Sequence, residues 1–88
     1  MSEETLILKT KVFFSEEIGG NPIEYLATVV SSQNKVGRFD VLPQHINFIT
    51  LIFDDITIRT SDEEEIKYQF KKGVLEVDKN TVNVFLGV

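Results

Sequence analysis

No cysteine occurs in the chain, so neither a disulfide framework nor a thiolate metal site can form. Small secreted domains usually need disulfide staples, and their absence favours the cytoplasm. Basic residues are also scarce: nine against fourteen acidic ones, a formal charge of −5. That balance opposes nonspecific nucleic-acid binding, which depends on neutralising phosphates. No apolar run approaches the ~20 residues of a membrane span. The start, Met1-Ser2-Glu3-Glu4, lacks the basic opening of a signal peptide. Any membrane association would therefore pass through a partner.

What is present is the composition of a folded protein, 42% hydrophobic and 26% charged in 88 residues. This length makes one domain, spanning 1–88. A chain of this size buries only roughly 60–65% of its unfolded surface. Its core is thin, which argues against a deep active site.

The dominant period is two. Leu6, Leu8, Val12 and Phe14 share one parity, with Lys9 and Lys11 on the other. Glu16 to Pro22 interrupts with turn residues. Tyr25, Ala27 and Val29 resume the alternation, and Ser31 to Lys35 reads as a polar loop. Phe39 and Val41 suggest a short strand ended by Pro43. Ile46 to Phe53 is almost continuously apolar, and its β-branched and aromatic content favours strand. Asp54-Asp55 reads as a turn, followed by a strand at Ile56, Ile58 and Thr60. Ser61 to Glu64 makes another turn before Ile66, Tyr68 and Phe70. Gly73 punctuates, Leu75 and Val77 form a short strand, and Asp78-Lys79-Asn80 leads tightly into Val82, Val84 and Leu86. Short, evenly spaced strands without a long amphipathic helix point to an all-β fold. The expected architecture is a small two-sheet β-sandwich or flattened barrel of mostly antiparallel strands.

Catalytic constellations are weak. His45 is the single histidine, and it has no cysteine or second histidine at metal-ligand spacing. It reads as a turn residue or an interface contact. Asp62-Glu63-Glu64-Glu65 lacks the glycine of a calcium loop and is followed at once by an alternating strand. It reads as a solvated hairpin turn. Ser61 and Glu64 have capping-box spacing, but the period-two pattern after them speaks against a helix. Asp40, Asp54 and Asp55 are carboxylates by type alone, without the geometry that glycoside hydrolysis demands. Gly19-Gly20 precedes Asn-Pro rather than the lysine and helix start of a phosphate loop. The reading is therefore no catalytic, cofactor-binding or metal site.

The segment Gly37-Arg38-Phe39-Asp40-Val41-Leu42-Pro43-Gln44-His45 is more specific. A glycine opens it, apolar residues alternate, and a proline and a histidine close it. After it come the apolar run, an Ile-x-Ile strand and an acidic hairpin. Gly73-Val74-Leu75-Glu76-Val77 and Val82-Asn83-Val84 follow in that order. This series resembles the N-terminal β-sandwich of the ATP synthase epsilon subunit, called delta in mitochondria. In that family a G-x-[FL]-x-[VI]-x-P-x-H segment precedes the apolar strand, and G-G-x-[LI]-E-V with V-x-V ends the domain. The resemblance runs from about Leu6 to Leu86. Four positions depart from it. Lys72 replaces the first glycine of the pair, Asp54-Asp55 replaces a frequent Pro-Gly, Asp40 replaces a frequent glycine, and Arg38 replaces an acidic or polar residue.

The resemblance implies a non-catalytic rotor component of a proton- or sodium-translocating ATP synthase, with no cofactor. It would bind the gamma subunit and the polar loops of the c-ring and couple ring rotation to the central shaft. It would be cytoplasmic and peripheral to the membrane through the complex. Gly37, Arg38, Phe39, Leu42, Pro43, Gln44 and His45 are the expected contact surface, with Phe39 and Leu42 equally suited to core packing. Many family members continue into a C-terminal helical hairpin that can inhibit hydrolysis. Such inhibition is not expected of a chain ending at Val88. The alternative is a free-standing β-sandwich adaptor for an unrelated protein.

Overall fold

A computed structural model describes residues 6–15, 21–44 and 47–87. The expected turn residues 16–20, together with His45 and Ile46, lie outside the described residues. Six strands form in chain order: β1 Leu8–Phe14, β2 Ile23–Gln33, β3 Arg38–Val41, β4 Phe48–Thr60, β5 Glu65–Asp78 and β6 Thr81–Leu86. They pair in the order β1-β6-β5-β4-β2-β3, and β1 also pairs with β2. Five strands thus close a flattened barrel, and β3 extends β2. All ladders are antiparallel except β1 with β6.

Alternation builds the core. Leu8 and Val12 of β1 meet Val82 and Val84 of β6, Leu75 and Val77 of β5, and Ile52, Ile56 and Ile58 of β4 in one buried cluster. Fully burying each such side chain contributes about 1.5–3 kcal/mol. Phe14, Phe39, Phe48, Tyr68 and Phe70 pack around its margin.

Two long strands change faces midway, which the simple alternation misses. In β2 the register shifts between Ala27 and Val29, leaving Thr28 as the extra residue. Before the bulge Ala27 is buried, and after it Val30 and Ser32 are buried. Val29, expected with Tyr25 and Ala27, therefore belongs to the other face. In β5 the shift falls opposite Phe53 and Asp54, and Lys71 is the residue without a partner. Tyr68 and Phe70 point inward before it, Gly73 and Leu75 after it, and Lys71 and Lys72 are both exposed. Such bulges bend a strand and increase its twist. They carry β2 and β5 around the barrel's corners.

These bulges correct three sequence expectations. Asp54-Asp55 is no turn: β4 runs straight through it, with Asp54 at φ 80°. Gly73 does not separate two strands. It lies inside β5, where a Cβ would stand 2.7 Å from the Phe85 carbonyl oxygen, so β6 approaches only because no side chain is there. Ser31 to Gln33 is strand rather than loop. Ser32 is buried because its hydroxyl donates to the Asp55 carbonyl at 2.7 Å, so tertiary pairing overrides its polar character. The acidic hairpin turn forms as expected, with Glu63 at φ 68° and the Thr60 amide donating to the Glu64 carbonyl at 2.8 Å.

Candidate partner-binding surface

The segment singled out in the sequence follows β3 along one margin of the barrel. Gly37 ends the β2–β3 turn at φ 148°, a conformation that favours glycine. Asn34 Oδ1 accepts from the amides of Val36 at 2.9 Å and Gly37 at 3.2 Å, fixing the turn. Val36 at its tip is 95% exposed. Phe39 turns inward and meets Phe48 edge-on, ring centroids 6.1 Å apart. Its part is core packing. Leu42, 41% exposed, begins the β3–β4 loop.

The four residues of β3 hold Gly37 and Leu42 apart by roughly one strand length, at ~3.3 Å per residue. The segment is thus two contact points, a turn at one end and a rim at the other. The rim is tied down. The Gln44 amide donates to Asn80 Oδ1 at 2.6 Å, and the Lys79 amide to Asn47 Oδ1 at 3.0 Å. Lys79 and Asn80 both have positive φ, 52° and 64°, the conformation of a two-residue type I′ hairpin. Pro43 is half-buried, Gln44 is exposed, and His45 lies outside the described residues.

Arg38 is not free. Its Nη2 lies 3.1 Å from Asp55 Oδ1 and its Nη1 donates to Gln33 Oε1 at 3.2 Å. Gln33 Nε2 in turn donates to Asp54 Oδ2 at 2.6 Å. Asp40 accepts from the Ser31 hydroxyl at 2.6 Å. Three of the four sequence departures, Arg38, Asp40 and Asp54-Asp55, thus join one polar lattice on the outer face of β3, β2 and β4. Register continues it through Thr57 and Lys67, and through Arg59 and Glu65.

The opposite outer face is different. Phe13 of β1 stands beside Phe85 of β6, Phe85 beside Val74 of β5, and Val74 beside Leu51 of β4. Their neighbours Val12, Val84, Leu75 and Ile52 are buried, so these four point outward. The Phe13 and Phe85 rings stack with centroids 4.8 Å apart. At ~4.8 Å between strands the row spans about 14 Å. Ile49, 67% exposed, and Leu51, 44% exposed, continue it along β4. One flank is polar: Lys11, Asn83 and Glu76 stand in register, and Asn83 Nδ2 donates to Glu76 Oε1 at 3.2 Å. An aligned apolar row rimmed by polar residues suits protein docking. The contact residues expected from the sequence do not include it. Its signal was the run from Ile46 to Phe53, apolar at both parities, which marks a strand covered on both faces.

Among the described residues no group of three or more His, Asp or Glu is placed to hold a metal ion. Among the same residues no helix is long and apolar enough to cross a membrane. Tyr25 and Tyr68 join hydroxyl to hydroxyl at 2.5 Å. Burial first, and the Tyr25 hydrogen bond second, push the Tyr68 hydroxyl well above its ordinary range.

No curated protein matches the sequence. Solved structures share the fold, two of them from ATP synthases. One is a chain of the Euglena gracilis mitochondrial ATP synthase, from a structure of OSCP/F1/c-ring, at TM-score 0.81 and 11% identity, covering 97% of this chain and 53% of that one. The other belongs to the central stalk/c-ring of the Tetrahymena thermophila mitochondrial ATP synthase, at TM-score 0.71 and 10% identity, covering 99% and 67%. The chain thus spans about half the length of the first, by the 53% covered. Residues 22–87 match the family described as the ATP synthase delta/epsilon chain, β-sandwich domain. The strand order, the closed sandwich and this match over most of the sequence agree, and the chain belongs to the ATP synthase delta/epsilon β-sandwich family.

Proposed function

We propose that the chain is a non-catalytic rotor subunit of an F-type ATP synthase, seated between the gamma subunit and the c-ring. The observation that carries this reading is the outward apolar row Phe13–Phe85–Val74–Leu51 on a domain of the delta/epsilon family. Phe13, Phe85 and Val74 are half-buried and Leu51 is exposed, so docking stabilises through the apolar surface they still show, at roughly 25 cal/mol per Å². A shaft subunit is the occupant that the family supplies, so the row is assigned to gamma. The lattice-covered opposite face stays in water.

The rim of Leu42, Pro43 and Gln44, with His45 next in sequence, is assigned to the polar loops of the c-ring. The pinned Gln44 backbone offers a rigid polar edge there, and Leu42 adds an apolar contact. Gly37 and Arg38 stand at the far end of β3. Arg38 has Asp55 as its ion-pair partner, so its contribution to the ring is secondary. Stiffness is the mechanical requirement. Closed ladders and a packed core transmit torque without loops that yield. Membrane association follows from the complex alone.

The test is co-purification. The tagged chain, expressed beside gamma and c-ring from the same source, is expected to bring both down. Recovery of unrelated proteins without gamma would support the adaptor reading instead.

A further inference from the structure

Several strand segments have one side without a strand partner among the described residues, Ile23–Leu26 of β2 with its Glu24 among them, and three more lie on β3, β5 and β4. The outer edge of β3 is four residues long, carries Arg38 and Asp40, and runs into Pro43. The β5 edge at Glu65–Lys71 lies beyond its pairing with β6, which begins at Gly73, and it carries Lys67 and Lys71. Short length, charge and proline are the devices that keep edges from pairing with other chains.

The third edge has none of them. β4 pairs with β5 along its length, but with β2 only from Ile56 onward. Phe48 to Phe53 therefore presents one free side. Asn47 to Phe53 contains no charge and no proline, and Ile49 and Leu51 are exposed. The hydrogen bonds along this stretch outside the ladders are side-chain ones. Asn34 Nδ2 donates to Thr50 Oγ1 at 3.3 Å, and Thr50 Oγ1 to the Leu51 carbonyl at 3.2 Å. An uncharged, β-branched and aromatic run of this length is a strong strand-pairing segment.

We infer that the free edge of β4 at Phe48–Phe53 is a strand-addition site, occupied in the isolated chain by the same segment of a second copy, antiparallel about a two-fold axis. The register permits it. A two-fold axis at Thr50 or Leu51 keeps every outward side chain on the outer face. Ile49 then faces Leu51 or Phe53 of the second copy. Self-pairing also brings no like charges together here, whereas the β5 edge would set lysines against lysines. A six-residue ladder buries less than the ~1,200 Å² of a stable complex, so the dimer is weak, with Kd on the order of 10–100 µM. Leu51 belongs to the apolar row and Ile49 adjoins it. Self-pairing extends the sheet within its plane and leaves the outer row uncovered, and it does not rest on the proposed function.

Sedimentation equilibrium of the chain alone, from roughly 5 to roughly 500 µM to bracket that affinity, is the test. The average mass is expected to rise from 10.0 kDa toward twice that value. Ile49→Lys faces Glu76 in register, so it folds with a cross-strand ion pair and charges the edge. It should remain monomeric across the range, with an unchanged circular dichroism spectrum. Val74→Lys, in the row but on an inner strand, should dimerise as the parent does. Exchange of the amides in 48–53 should slow with concentration in the parent only. A parent that stays monomeric overturns the inference, as does dimerisation of Ile49→Lys or its loss in Val74→Lys.

Discussion

Arg38 and Asp55, which stand on strands that do not pair with each other, meet at 3.1 Å across the outer surface of β2. Gln33, between them in the sheet, bonds Arg38 on one side and Asp54 on the other. Each residue looks anomalous by itself against the family pattern. Together they brace the short edge strand against the β4–β5 bulge. The Arg38 side chain is 55% exposed, so the pair is worth at most about 1 kcal/mol and should weaken with salt. Arg38→Glu sets a carboxylate beside two others and should lower the urea midpoint slightly. The exchange Arg38→Glu with Asp55→Arg should recover most of that loss. A double-mutant cycle reads the coupling.

Gly73 gives a larger effect. A Cβ there meets a backbone oxygen at 2.7 Å, which no rotamer change relieves. Gly73→Ala should destabilise by about 2 kcal/mol, in the range for overpacked interiors. Lys72→Gly, at the neighbouring bulge position, removes an exposed side chain and should change stability far less. Chemical denaturation of both variants measures the contrast.

The rim should loosen when its pin is removed. Asn80→Gly keeps the positive φ that the hairpin requires and deletes the acceptor of the Gln44 amide. Loss of one such bond costs about 1 kcal/mol. Amide exchange at Gln44 should accelerate, while the β1–β6 ladder exchanges as before.

Tyr68 sets an alkaline limit. Its hydroxyl is held protonated in the fold by burial and by Tyr25, whereas the unfolded chain ionises near its ordinary pKa of about 10. Above that pH the folded state holds the extra proton, so stability falls as pH rises. Below it the contribution is fully present. Tyr68→Phe should flatten the decline in thermal midpoint above pH ~10.

The legible part of the fold was what alternation encodes locally. The inward sets Leu8–Val12, Ile56–Ile58 and Val82–Val84 follow directly from period two, and the fold class from their spacing. The bulges at Thr28 and Lys71 were not legible. A parity switch becomes visible only when the partner strand is known, and those partners lie far away in sequence. Ser32 shows the same limit, since its polarity suggests a loop and its hydroxyl's bond to Asp55 makes it core. At the surface, the motif beginning at Gly37 marked out a turn and a short strand but could not show that Phe39 faces inward. The apolar row was present as Phe13, Val74, Phe85 and the double-parity run, yet only strand register aligns four residues from four strands.

On the proposed reading, the apolar outer face docks on the gamma subunit. The most direct measurement of that docking is the affinity of the chain for gamma by titration calorimetry, comparing Val74→Asp with Thr57→Asp on the polar face. Val74→Asp should weaken binding at least about tenfold, as loss of a central apolar contact does, while Thr57→Asp binds as the parent does. Equal binding by Val74→Asp, or an equal loss in Thr57→Asp, would contradict the account.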